Sequence, residues 1–303
     1  MTIATTALGR SALRGVRGTC ALGALSAGRP LMTARRCNDD VAPLVVVEHH
    51  ERTAIVTLAS PPINALTRPL VTQLTGAIRE LEATEHIEGF VLRSGVRGVF
   101  TGGLHLPELL LADDGSNEAV AAFWHDFQEL ALALHGTPLA TVAAISGACP
   151  AGGCLLALCC DERTMDRETA GSIGLNEAAF GLLPPYWLCE LMIGCVGQRR
   201  AERMITRGQL LPPEDALNAG LVDELVPSAA LHDVANARLL ELLAIPGRAI
   251  AKAQLRTPWQ AELRARRDAD RESVLAEVSR PAVQSAIVGY LEALRRKRER
   301  KKG

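Results

Sequence analysis

From Leu44 onward the chain alternates short β-branched runs with longer stripes of helical spacing. Leu44–Val47 and Ala54–Leu58 are two apolar runs joined by the polar stretch 48–53, the pattern of a hairpin. Pro61-Pro62 ends the second run. Thr67 then stands as a helix N-cap with Pro69 in the first turn, and Leu70, Leu74, Ile78 and Leu81 recur at helical spacing. Phe90–Leu92 reads as a short buried strand. It is followed by a loop from Ser94 to Leu106 holding four glycines, a polar link over 113–117, and a helix over Ala119–Leu134. A further strand is expected over Arg163–Asp166, and helices over Gln198–Thr206, Pro213–Ala219 and Ala230–Leu243. Beyond Pro246 the amphipathic spacing predicts helices over Arg248–Arg256, Ala261–Val278 and Ala282–Arg296. Strands alternating with helices in this order predict an α/β domain with crossover connections.

The stretch Leu139–Asp161 is the centre of the pattern. It opens as an apolar run, breaks at Gly147, turns at Pro150, and presents Gly152-Gly153 ahead of a second apolar run. The order is buried strand, glycine turn, buried helix. A helix that begins on glycines offers unpaired N–H groups and the positive end of its dipole, and lets a ligand approach the backbone closely. It is a place to hold a negatively charged oxygen. Residues 139–160 carry no charge and are long enough to span a bilayer, but Pro150 and the glycines interrupt them where lipid could not satisfy the freed backbone. No membrane span is expected.

Composition changes this picture little. The chain has 303 residues, 48% hydrophobic and 22% charged, with a net charge of −1, which suits a globular domain and argues against a dedicated nucleic-acid binder. Eight cysteines fall mostly in apolar company and suggest a reducing compartment. Cys149, Cys154, Cys159 and Cys160 lack the spacing and the histidine of a metal site, so no metal is expected. The first 37 residues stand apart. They contain Arg10, Arg14, Arg17, Arg29, Arg35 and Arg36 and no acid, the first being Asp39. Such a leader resembles a mitochondrial transit peptide and implies a mitochondrial matrix protein.

Glu177 is the one acid between Glu168 and Glu190, with apolar residues on both sides. Two readings stand: a surface glutamate at a helix start, or a carboxylate whose pKa burial raises into the range of a useful base.

Several segments together resemble the crotonase (enoyl-CoA hydratase/isomerase) superfamily. They are Asn64-Ala65-Leu66, the loop Gly98–Leu104, Ile145–Cys154, Gly174-Leu175-Asn176-Glu177 and Ala216–Asp223. Each is weak alone; their order and spacing are specific. The resemblance runs from about Val45 to the C-terminus, and its isomerase branch is the most similar. It implies a crotonase-like α/β fold, a ββα spiral core over 44–245, with a C-terminal helical region over 246–303 that covers the acyl pocket and builds a homotrimer. It also implies an enoyl-CoA thioester as substrate and no separate cofactor, coenzyme A being part of that substrate.

The resemblance places roles on single residues. The N–H groups of Leu104 and Gly152 would polarise the thioester carbonyl, and Glu177 would be the base. Gly102, Gly103, Leu104, His105, Leu106 and Gly152 would line the substrate site, with Asn176 orienting the carboxylate or lining the acyl path. Hydratases of the superfamily carry a second glutamate where this chain has Leu155, which cannot activate water. The implied reaction is therefore a shift of the double bond of 3-enoyl-CoA, cis or trans, to trans-2-enoyl-CoA, as in the β-oxidation of unsaturated fatty acids. Another acyl-CoA reaction, or a non-catalytic protein of the same fold that binds RNA or a partner, is the alternative. Many relatives have aspartate where this chain has His105, a residue that either titrates near neutrality or faces solvent. The basic tail 295–302 has three readings: a solvated helix end, a contact with CoA phosphates, or a nucleic-acid contact weakened by the absence of interleaved aromatics.

Overall fold

The computed structural model describes residues 42–300; the expected transit peptide and the last two residues of the basic tail lie outside them. A hairpin opens the fold, with β1 (Val45–His49) antiparallel to β2 (Thr53–Leu58). Parallel pairing then extends the sheet through β3 (Gly89–Ser94), β5 (Ala140–Ile145), β7 (Glu162–Asp166) and β9 (Glu224–Val226). A smaller parallel sheet joins β4 (Gly98–Val99), β6 (Gly147–Pro150) and β8 (Ile173–Gly174). Three times over, a strand of the large sheet runs into a strand of the small one and then into a helix: α2 (Glu118–Gly136), α3 (Gly152–Cys159) and α4 (Tyr186–Val196). This is the expected spiral of ββα units.

The small sheet corrects the sequence reading, which has only a loop at 94–106 and a turn after Gly147. Its strands are two to four residues long, too short to show a period. What marks them is a glycine. Gly147 has φ +152°, and a Cβ there would meet the carbonyl oxygen of Gly98 at 2.1 Å, so only glycine lets β4 and β6 pair this closely.

Side-chain alternation along the large sheet feeds two cores. Val91, Val142 and Ala144 face α7 (Leu231–Leu243) through Leu231, Ala235 and Leu239. Phe90, Leu92, Ala143 and Ile145 belong to the larger core with α2, α3 and α1 (Arg68–Ala83). The expected start of α1 is present: Thr67 accepts the N–H of Leu70 at 3.4 Å, with proline in the first turn, and Leu70, Leu74, Ile78 and Leu81 are buried.

Three further corrections concern helices and one edge strand. α4 and β9 have no counterpart in the sequence reading; α4 is apolar nearly all round and gives no stripe. The helices α5 (Gln198–Thr206), α6 (Pro213–Ala219) and α7 fall where expected. Beyond them α8 runs unbroken from Arg248 to Val278, across the break expected between Arg256 and Ala261, the stretch that holds Pro258. Proline removes the bond to the carbonyl of Gln254 and costs about 3 kcal/mol in a helix interior. Anchors on both sides hold the helix through it. Arg256 donates to the carbonyls of His135, Cys159 and Cys160 at 2.8–3.1 Å, closing the C-terminal ends of α2 and α3. Trp259 Nε1 donates to Trp187 O at 2.9 Å and Gln260 Nε2 to Leu132 O at 3.2 Å. Asp161 pairs with Lys252 and Arg256 at 2.8 Å each. α9 (Pro281–Arg300) completes the chain.

Candidate functional site

Three backbone segments converge where the carboxyl ends of the strands meet α3. The first is the loop 101–106. Leu66 N–H donates to Gly103 O at 2.9 Å, and His105 N–H to Leu66 O at 3.2 Å. Gly102 N–H donates to Ile63 O at 2.7 Å and Gly103 N–H to Thr101 Oγ1 at 3.1 Å. Leu104 N–H is the one amide of 102–105 without an acceptor among the described residues. Thr101 and Asn64 hold the loop from behind. Thr101 Oγ1 donates to Asn64 O at 2.6 Å, and Asn64 Nδ2 donates to Ser94 Oγ at 2.8 Å and Phe100 O at 3.1 Å. Buried polar groups satisfied this fully fix one backbone path.

The second segment is the start of α3. Ala151 N–H donates to Gly174 O at 2.8 Å, and Ala151 turns the chain with φ +50°, ψ −117°. A side-chain-bearing residue in that region stores about 1–3 kcal/mol of strain. Gly152 follows as the first helical residue, its N–H one of the orphan donors of a helix start. The two candidate amides are neighbours: a Cβ on Gly152 would lie 3.5 Å from Leu104 N, and one on Gly103 3.6 Å from Gly152 N. Gly103, with φ +81°, is where the loop turns to bring them together.

The third is the short helical turn Glu177–Phe180 after β8. Glu177 is 8% exposed and its Oε2 has no hydrogen-bond partner among the described residues. Burial pushes its pKa up to about 7, against a smaller opposing pull from its own backbone N–H. The surface reading of this residue is thereby replaced. Glu177 and Leu104 sit at the junction of two cavities. One, of about 320 Å³, includes Gly152 and the apolar side chains of Trp124, Phe127, Leu188 and Val274. The other, of about 520 Å³, is bounded by Gly102, His105, Leu106, Asn176, Tyr290 and Arg295.

The sequence-predicted residues fall as follows. Leu104, Gly152 and Glu177 come together; Gly102, His105, Leu106 and Asn176 line the larger cavity. Gly103 is buried behind the loop and lines neither cavity. Asn176 makes no side-chain bond to Glu177 among the described residues, so of its two expected roles only the lining one has support. His105 is half-exposed, Nδ1 3.9 Å from Glu108 Oε1. Leu155 is fully buried on α3. No helix among the described residues is long and apolar enough to cross a membrane.

Sequence reasoning missed the far wall of the smaller cavity, above all Asp270 on α8. It also missed Tyr290, whose ring meets Phe180 edge-on at 4.7 Å and so ties α9 to the turn bearing Glu177. The first is one of many charges on α8, and the second lies on a helix whose facing no local pattern reveals.

A family model described as enoyl-CoA hydratase/isomerase matches residues 48–300. The mouse protein named enoyl-CoA delta isomerase 1, mitochondrial (Mus musculus), is 37% identical over 258 residues, 84% of this chain and 88% of its own. Its human namesake (Homo sapiens) is 37% identical over 245 residues, 80% of each chain. Among solved structures, human mitochondrial delta3-delta2-enoyl-CoA isomerase superposes with a TM-score of 0.81 at 36% identity, covering 84% of this chain and 99% of that one. An enoyl-CoA hydratase from Bacillus halodurans superposes at 0.75 with 25% identity, covering 81% and 99%.

Proposed function

The chain belongs to the enoyl-CoA hydratase/isomerase family, and within it we propose an enoyl-CoA isomerase that moves the double bond of 3-enoyl-CoA, cis or trans, to trans-2-enoyl-CoA in fatty-acid oxidation. The observation that carries this is the buried carboxylate of Glu177 between two cavities, its Oε2 without a partner among the described residues, beside the amide of Leu104, which has no acceptor among them, and the helix start at Gly152. The larger cavity suits the CoA arm and the smaller the acyl chain.

The reaction balances with one base. Ionised Glu177 removes a proton from C2 of the thioester, and the electron pair spreads over C2, C4 and the carbonyl oxygen as a dienolate. The N–H groups of Leu104 and Gly152 donate to that oxygen, a kind of preorganised stabilisation worth about 3–4 kcal/mol per donor. Protonated Glu177 then returns its proton to C4, the new double bond lies between C2 and C3, and the carboxylate is regenerated. A pKa of about 7 suits a group that takes and gives a proton near neutrality. No cofactor is needed.

Hydration would need a second acid to activate water, and the apolar, fully buried Leu155 occupies that position of the family pattern. Double-bond migration and water addition are to be followed separately on 3-cis-, 3-trans- and 2-enoyl-CoA esters. Migration without hydration is expected; hydration of the 2-enoyl ester without migration would sink the proposal.

The mitochondrial names of the relatives and the acid-free leader support a location in the mitochondrion, in the matrix. A homotrimer is proposed as the assembly. Leu240, Ile245, Ile250 and Leu255 are 53–80% exposed, which leaves apolar surface around the α7–α8 connection for a second copy to cover.

A further inference from the structure

The smaller cavity has one wall that an unsubstituted hydrocarbon chain does not match. Asp270 borders it and is only 8% exposed. Its Oδ2 accepts three hydrogen bonds, from Gln128 Nε2 at 2.7 Å, Trp124 Nε1 at 2.9 Å and Trp187 Nε1 at 3.1 Å. Its Oδ1 accepts none among the described residues, and it is not sealed from solvent as the buried unpaired atoms of the molecule are. The donors on Oδ2 fix the carboxylate, and Asp270 borders the cavity, which leaves Oδ1 as the oxygen available to a ligand there. The polar character continues along the helix. Arg266 precedes Asp270 by four residues, Ser273 and Glu277 follow it at further steps of three and four, and all border the same cavity, so one stripe of α8 presents polar groups to it.

We infer that the acyl cavity accepts 3-enoyl-CoA esters whose chain carries a hydroxyl group, and that Asp270 Oδ1 is the acceptor that selects for it. This rests on the proposed activity and specifies its substrate class. A plain chain lying over Oδ1 strips water from a carboxylate oxygen and returns nothing. A hydroxyl at the same depth restores the bond, and hydrogen bonds to charged groups are the strong ones. A neutral donor fits the wall better than either ion. A neutral donor needs only Oδ1, whereas either ion would meet both signs on this wall, Asp270 and Glu277 with Arg266, which Glu262 holds at 3.0 Å and whose guanidinium lies 4.6 Å from the ring centre of Tyr186.

The test is a set of 3-enoyl-CoA esters of one chain length, with a hydroxyl moved carbon by carbon toward the free end, each paired with its methyl ether. One or two hydroxyl positions are expected to raise kcat/KM about tenfold over the plain ester, the ether at the same carbon losing that gain because it cannot donate. In Asp270→Asn an amide N–H₂ turned toward the cavity donates rather than accepts, so a hydroxyl and its methyl ether both become acceptors for it, and the hydroxyl-to-ether ratio is expected to fall to about one. The ether series reads the same property in the native protein should that variant not fold. A plain ester preferred over every hydroxylated one, or a gain that survives methylation, overturns the inference. If no ester is turned over, the activity proposal fails instead, and equilibrium binding of the saturated hydroxyacyl and acyl esters then decides the role of Asp270 by the same comparison.

Discussion

The turn at 177–180 and the middle of α8 each bring one carboxylate to the same cavity, and each carboxylate is 8% exposed. They are buried alike and treated oppositely. Asp270 receives three donors on one oxygen, two of them indoles from α2 and α4. Glu177 has an oxygen with no partner among the described residues, and burial lifts its pKa to about 7. The difference teaches how burial is used. Where donors accompany a carboxylate inward, the group becomes a fixed point joining helices. Where they do not, the charged and neutral forms come close in free energy, and the group can exchange a proton with something else.

The sharpest way to break the comparison is to remove proton exchange from one carboxylate and bonding from the other. Glu177→Gln keeps the shape and loses the base. Because one group serves both carbons, isomerisation is expected to fall by ~10⁴-fold, the upper range for general acid–base catalysis. Binding of a saturated acyl-CoA, measured by calorimetry, is expected to persist. Turnover within tenfold of native would show that another group moves the proton. Asp270→Leu leaves two indole N–H groups and an amide without their acceptor in the interior. Its expected cost is about 3–5 kcal/mol, the sum of donors left unsatisfied at about 1–3 kcal/mol each and partly relaxed. Denaturant unfolding reads it, and a loss below 1 kcal/mol would mean that Asp270 is no fixed point.

How far this contrast was legible in the sequence follows from where each carboxylate finds its surroundings. Glu177 stands alone among apolar residues close to it in the chain, so its isolation is local and visible. The glycines before α3 announce an orphan helix start in the same way. Asp270 sits among Arg266, Arg267, Asp268, Arg271 and Glu272, and its three donors lie 83 to 146 residues away. No periodicity singles it out. Pro258 shows the same limit from the other side: the local rule breaks the helix there, and contacts more than seventy residues distant keep it whole. The short strands of the small sheet are set by the close approach of glycines, which a single chain reveals only once folded.

The proton economy of Glu177 also has a stability signature. Its folded pKa of about 7 lies above its ordinary value of 4.5, so between those values the folded state binds the proton more tightly than the unfolded one. Stability therefore falls as pH rises through this window, and above about pH 7 the full penalty applies, of order 3 kcal/mol. Glu177→Gln never carries the charge. It is expected to be more stable than the native protein by up to about 3 kcal/mol at pH 8 and equal to it near pH 4. Activity in the native protein runs the other way, since the ionised form is the base: kcat/KM is expected to rise with pH and level off above about 7. A variant that gains no stability at pH 8 would mean that the carboxylate has found a partner, and the contrast with Asp270 would dissolve.

The smallest effect dissects the partnered side. Gln128 is fully buried on α2 and gives Asp270 the shortest of its three bonds, while its Oε1 accepts from Arg267 Nε at 3.3 Å. Gln128→Leu fills a similar volume with apolar atoms and leaves both indoles in place. It removes one donor to a charged acceptor, worth about 1.5–3 kcal/mol, together with the two bonds to part-exposed Arg267 that water can replace, and the added apolar contact offsets part of that loss. A net cost of about 1–2 kcal/mol is expected by denaturant unfolding, with kcat for a plain 3-enoyl-CoA ester within about twofold of native. If that one substitution cost as much as Asp270→Leu, the three bonds would act as a single all-or-none unit, and the indoles alone could not hold the carboxylate. If it cost nothing, the two tryptophans would suffice, and the part of α8 that faces the acyl cavity would be held by α4 and the indole of α2 without the amide.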